Sequence, residues 1–253
     1  MQALKLANII CKLRRLHVDP CWGRVMEKVA AVLIAAHAIA DFSLQPDGLV
    51  QNKNRLGILM LHAAIHASLS YVVLQVWVCW QAPLFVLLVH AAIDFAKQRR
   101  KRDTATAFIV DQIVHVFSLL ALTWLSVRFS WVPAFSGIGY KPLVVLAGFI
   151  ATVQGAGFLV SIFTKRLIDE NNLELKGLLN GGKLIGQLER CLIFLFIFIG
   201  QPTGIGFLVA AKSILRFEEA KEQKLAEYVL IGSLLSFSIA IALSAVTKWA
   251  IGL

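Results

Sequence analysis

The string HAIADFSLQ at residues 37–45 decides how the chain is read, because its His37 and Asp41 are the first of four polar pairs at one spacing inside apolar sequence. His62 and His66 follow in LHAAIH (61–66), His90 and Asp94 in HAAIDF (90–95), and Asp111 and His115 in DQIVH (111–115). Positions four apart in a helix lie one turn apart on one face, so both members of a pair can reach a single ion or two adjacent ions. Five of the six histidines belong to these pairs. With 15 acidic residues and 6 histidines among 253 positions, chance gives a histidine such a partner at a chosen spacing roughly one time in ten. Five conforming together exceed what composition supplies.

The surrounding sequence is 58 % hydrophobic with a mean hydropathy of +0.74, against an apolar share of about 45–50 % in soluble domains. Apolar runs at about 29–44, 56–80, 83–96, 106–128, 142–163, 184–217 (interrupted) and 226–252 compare with the roughly 20 residues that one helical crossing needs. The expectation is an all-α, polytopic membrane protein with six or seven transmembrane helices. Its net charge of +10 belongs first to loops and anionic lipid headgroups, and no basic face interleaved with aromatics points to nucleic acid. Cys11, Cys21, Cys79 and Cys191 form no CxxC pair and read as small apolar fillers.

Three regions follow. Residues 1–28 mix Lys5, Lys12, Arg14 and Arg15 with leucines and isoleucines, which suggests an interfacial amphipathic segment ending at Pro20 and no cleavable signal. His17 lies there, outside the pairs, and reads as a solvated or headgroup histidine. Residues 29–128 form a four-helix metal-site repeat domain. His37-x3-Asp41-Phe42 reappears 53 residues later as His90-x3-Asp94-Phe95, and His62/His66 reappears 49 residues later as Asp111/His115. Two tandem hairpins related by a pseudo-twofold axis along the membrane normal would face their ligands across a shared centre. If the four segments alternate across the bilayer, all four pairs lie at similar depth near one membrane face. Sixteen cations on that side against nine on the other favour the cytoplasmic face, with the basic N-terminus opposing.

Residues 129–253 supply further helices: a span at 142–163 with Gly155 and Gly157 suited to close packing, an exposed linker at 164–183, a hairpin at 184–217 turning at Gln201-Pro202-Thr203-Gly204, and a last span at 226–252. The hairpin brings Glu189 level with Lys212, and a buried Glu189–Lys212 ion pair is the plain expectation. Arg190, Lys212 and Arg216 are candidates for holding an anionic substrate headgroup.

Imidazole and carboxylate together are the ligand set of zinc, manganese or iron. Eight candidates suit two ions with three or four protein ligands each and room for water, which such ions acidify towards neutrality. His37, Asp41, His62, His66, His90, Asp94 and His115 are expected to bind metal, and Asp111 to bind or to orient an imidazole. Gln45, Asn52 and Gln112 are weaker candidates. The reading is a membrane-embedded hydrolase acting through metal-activated water on a phosphorylated or ester-linked lipid-like substrate, with no side-chain nucleophile. The alternatives are a proton- or ion-coupled transporter or channel using the same set as a relay, and a metal-stabilised scaffold without catalysis.

The motifs His37-x3-Asp41-Phe42-x2-Gln45, Lys53, Leu61-His62-x3-His66, His90-x3-Asp94 and Asp111-Gln112-x2-His115 resemble bacterial inner-membrane proteins grouped as a domain of unknown function with that signature. The strings Gly181-Gly182-Lys183-Leu184-Ile185-Gly186-x2-Glu189-Arg190, Ala211-Lys212-Ser213-Ile214-x-Arg216-Phe217 and Ala226-Glu227-Tyr228-x-Leu230-Ile231-Gly232 resemble its longer members. The resemblance implies a multi-pass protein of the bacterial inner membrane and this polar set, and no reaction. In style of motif only, the chain also resembles membrane-bound metal-dependent hydrolases.

Overall fold

The computed structural model describes residues 20–45, 55–100, 104–132, 139–173, 180–217 and 223–252. The described residues form eight helices and no strand: α1 (Pro20–Phe42), α2 (Leu56–Leu74), α3 (Gln81–Arg100), α4 (Ala105–Arg128), α5 (Tyr140–Asn171), α6 (Gly181–Phe198), α7 (Thr203–Phe217) and α8 (Gln223–Ala250). Residues 1–19 of the segment expected at 1–28 to lie on the membrane, with His17, and also Asn52 and Lys53, lie outside the described residues, while residues 20–28 are the start of α1.

Local chemistry sets the boundaries. Pro20 opens α1, where its missing N–H is not needed. Thr104 caps α4 by accepting a hydrogen bond from the Ala107 N–H, and Gln75 in the left-handed region closes α2. Gly139, at φ 74°, precedes α5. The short third segment expected at 83–96 is a full helix of 20 residues, because Pro83 falls in its first turn and is tolerated there.

The linker expected at 164–183 is partly helical. α5 runs on to Asn171, carried by helix-forming residues and an exposed Arg166–Glu170 pair at 2.7 Å one turn apart. Hydropathy marks where apolar sequence stops, and a charged helix continues past that point. α6 likewise starts at Gly181.

Among the described residues, four helices are long and apolar enough to cross a membrane: α2, α4, α5 and α8. The expected count of six or seven is larger because α1 and α6 carry three or more charges along the run and α3 is diluted by Gln81, His90, Asp94, Lys97 and Gln98. α4 shows the inverted pattern of a lipid-immersed helix: Ile109, Ile113, Phe117, Leu120 and Trp124 face outward while Asp111 and His115 are buried.

α1 to α4 pack around the polar pairs, with α2 closely against α3. Ala36, Ala40, Ala63 and Ala67 are buried there and let the backbones approach. Beneath the pairs a core of Val29, Val32, Leu33, Leu74, Val86, Leu119 and Leu122 closes the bundle. α5 and α8 pack on one another and α5 lies along α1, while α6 packs on α8 and α7 on α6.

Candidate metal centre

Each pair falls on the buried face of its helix, and the four faces meet at one point. His37, His62, His66, His90, Asp94, Asp111 and His115 are all buried, and Asp41 is nearly so. Asp41 sits among three imidazoles: its Oδ2 is 3.5 Å from His37 Nε2, and its Oδ1 is 3.3 Å from His62 Nε2 and 3.2 Å from His66 Nε2. Asp94 has the same position in the second hairpin, with His62 Nε2 at 3.6 Å, His90 Nε2 at 3.7 Å and His115 Nε2 at 3.9 Å. Two overlapping groups could hold a metal ion, Asp41 with His62, His66 and His90, and His90 with Asp94 and His115. Within each group the donor atoms lie within 4.8 Å of one another.

The ring pairs can be set side by side across the sequence repeat. His37 and His66 in the first hairpin have centroids 5.1 Å apart at 47°, and their counterparts His90 and His115 are 4.3 Å apart at 48°. The stack of His37 on His115, at 24°, maps onto the stack of His90 on His66, at 26°. The angles thus agree across the sequence repeat while the separations differ, the two stacks having centroids 5.0 and 3.8 Å apart. The sequence correspondence breaks at one position, where His62 is matched by Asp111.

Asp111 belongs to neither metal-competent group. Its Oδ2 accepts a hydrogen bond from Lys97 Nζ at 2.7 Å, and its Oδ1 lies 3.7 Å from His115 Nδ1. His115 Nδ1 also lies 2.9 Å from the Asp111 carbonyl oxygen, which turns Nε2 towards the centre. Gln112, a weak candidate by sequence, donates from Nε2 to Asp41 Oδ2 at 2.9 Å and so fixes that carboxylate from the opposite hairpin.

The Nε2 atoms of His37, His62, His66, His90 and His115 are all buried without a hydrogen-bond partner, as is His62 Nδ1. An orphaned buried polar group costs about 1–3 kcal/mol; the Nε2 atoms of His37, His62 and His66 face the Asp41 carboxylate at 3.2–3.5 Å, and an ion would take the lone pairs of all five. A cavity of about 10 Å³, room for roughly one water, opens beside His37, His66, His90 and His115 and is edged by Ser70 and Ser118. The two serines are not legible as site residues in the sequence; the one signal there is a hydroxyl three or four positions beyond a histidine in an otherwise apolar helix.

Phe42, next to Asp41, is seated on α5. That helix contains a π turn at Ala151–Gly155, and a Cβ on Gly155 would lie 2.8 Å from the Phe42 ring. Ser43 Oγ donates to Gln154 Oε1 at 3.4 Å in the same turn. The turn is held from the other side by Arg190, whose Nε and Nη2 donate to the Val153 carbonyl at 3.0 and 2.9 Å and whose Nη1 donates to Ser236 Oγ at 3.1 Å. Lys212 Nζ meets Glu189 Oε2 at 2.7 Å. The described contacts of Arg190 and Lys212 thus run among α5, α6, α7 and α8 and not to the histidines. Arg216 lies on α7 with its side chain outside the described residues.

No curated protein and no solved structure matches the chain. Residues 29–137, the stretch that carries the greater part of α1, all of α2 to α4 and all four polar pairs, match the family model described as a protein of unknown function, DUF3307.

Proposed function

We propose that α1 to α4 hold a divalent metal centre of two ions, and that it serves as a membrane-embedded hydrolase for a phosphorylated or ester-linked, lipid-like substrate. One observation carries the reading: five buried imidazole nitrogens without hydrogen-bond partners converge on two carboxylates. Nitrogen-rich N/O sets of this kind suit zinc, iron or manganese. Such ions acidify a coordinated water towards neutral pH and so supply hydroxide. The chain's own residues fix the geometry. Gln112 orients Asp41, the Asp111 backbone carbonyl orients His115, and the apolar core below keeps bulk water out. In the reaction a water oxygen adds to phosphorus or to the ester carbon, the bond to the leaving oxygen breaks, and the leaving alcohol takes the proton.

Depth in the bilayer fits an amphiphile. From Tyr140 to Gly155, where Phe42 docks, is roughly 22 Å of helix, within a hydrocarbon layer of roughly 30 Å. Trp77, Trp80, Trp124, Phe129 and Trp249 are exposed at the end of the bundle away from the pairs, as an interfacial belt would be. The pairs then lie near the opposite boundary, within reach of headgroups.

A second reading is passage of a metal ion or protons. It is favoured by the depth of burial and by His90, which both metal-competent groups share. Proteoliposomes loaded with zinc or manganese and given phospholipid and acyl-ester substrates separate the two. Metal-dependent release of phosphate or acid without coupled ion flux supports the hydrolase; flux under a pH gradient without product supports passage.

A further inference from the structure

The sequence repeat gives each hairpin four corresponding positions, His37, Asp41, His62 and His66 in the first and His90, Asp94, Asp111 and His115 in the second. The first set is assembled, with three imidazole Nε2 atoms within 3.5 Å of the Asp41 carboxylate. In the second, Asp94 lies 3.6, 3.7 and 3.9 Å from His62, His90 and His115, and the fourth member is engaged elsewhere. Lys97 Nζ holds Asp111 Oδ2 at 2.7 Å. The other oxygen, Oδ1, is buried without a hydrogen-bond partner. Lys97 has no counterpart in the first hairpin, where the equivalent position is Leu44. Its side chain is 40 % exposed against 6 % for Asp111, so the ammonium can swing outward and stay solvated while the carboxylate cannot leave.

We propose that the two metal sites are unequal and that Lys97 is a latch on the second: it holds the ligand Asp111, and the second ion binds by displacing the Lys97 ammonium from that carboxylate. This rests on the metal-centre reading above. The exchange is one of charge for charge, with the divalent ion replacing the ammonium beside Asp111 and no covalent bond made or broken. The first ion fills the Asp41 side, where the carboxylate faces imidazoles and the Gln112 amide. The Asp94 side fills only at higher metal concentration. The arrangement makes occupancy of the reactive pair depend on a residue outside the ligand set.

Zinc or manganese titration of the purified full chain in detergent, read by calorimetry and by metal content after desalting, tests this. Wild type is expected to bind one ion tightly and a second more weakly. In Lys97→Met the second affinity should rise by about 10- to 100-fold, the range for changes in a ligand's hydrogen-bond partner, with the first unchanged. Lys97→Arg, which keeps the charge and can keep the pair, should retain the gap. Asp111→Asn should lose the second ion and keep the first, and Lys97→Met with Asp111→Asn should behave like Asp111→Asn while leaving no buried carboxylate unpaired. Two equal sites in the wild type, or a second affinity unaltered by Lys97→Met in protein that elutes as wild type does, would overturn the latch. Absence of any bound metal in the wild type would instead remove the centre itself, a different outcome.

Discussion

At the scale of single residues, His62 is the most telling. It is fully buried, neither ring nitrogen has a hydrogen-bond partner, and Nε2 stands 3.3 and 3.6 Å from the two carboxylates. His62→Leu is therefore expected to abolish tight metal binding and yet to leave the metal-free protein as stable as wild type or more so, because an unpartnered polar ring is replaced by an apolar side chain. Thermal unfolding with and without chelator reads this: chelation should lower the midpoint of wild type and leave that of His62→Leu unmoved. An equal chelator response in both would contradict it. The pairs themselves are legible in the sequence because imidazoles and carboxylates are costly in an apolar helix, and a shared four-residue spacing puts them on one face. Lys97 is not, since a cation at the head of the basic run 97–102 reads as a loop charge until its Asp111 partner is seen. Gln112 is hard to value for a similar reason, as nothing local shows that it reaches Asp41 across the bundle.

At the scale of elements, the π turn in α5 is the feature that no hydropathy pattern discloses. An extra residue in one helical turn leaves the i to i−4 ladder unaltered on either side, so the apolar run reads as an uninterrupted span. Its purpose is legible only in three dimensions: it presents Gly155 to Phe42 and the Val153 carbonyl to Arg190. Gly157 and Gly186 similarly make room for the guanidinium, since a Cβ on either would come within 3 Å of it. Arg190→Met should destabilise the protein by about 1–3 kcal/mol through loss of the bonds to Val153 and Ser236, measured as a lower unfolding midpoint in detergent. Gly155→Val should act on the site instead, because the displaced Phe42 adjoins Asp41. The expected result is metal affinity lowered by about 10-fold or more with the helical content by circular dichroism unchanged. The Glu189–Lys212 pair, by contrast, follows from folding the 184–217 hairpin about its turn, and the 2.7 Å contact agrees with that reading.

At the scale of the whole molecule, the all-helical architecture follows from hydropathy, and the meeting of four helix faces follows from alternation of the hairpins. Span number does not, because a helix that builds a polar site is penalised by the same residues that give it its role; α1 and α3 are the examples. Imidazoles bind metal only when neutral, so retention of metal should fall on acidification and should recover on neutralisation in the presence of the ion. Dialysis at stepped pH followed by elemental analysis reads that dependence, and retention that does not respond to acid at any pH at which the protein stays folded would speak against imidazole ligation. The most direct measurement is the metal content of the wild-type chain purified from membranes without added metal, together with X-ray absorption at the edge of whichever element is found. The account requires stoichiometric zinc, iron or manganese with imidazole scattering and nitrogen or oxygen at about 2.0–2.2 Å, lost in His62→Ala with His66→Ala. A folded wild type that carries no transition metal, and takes up none when it is offered, would contradict it.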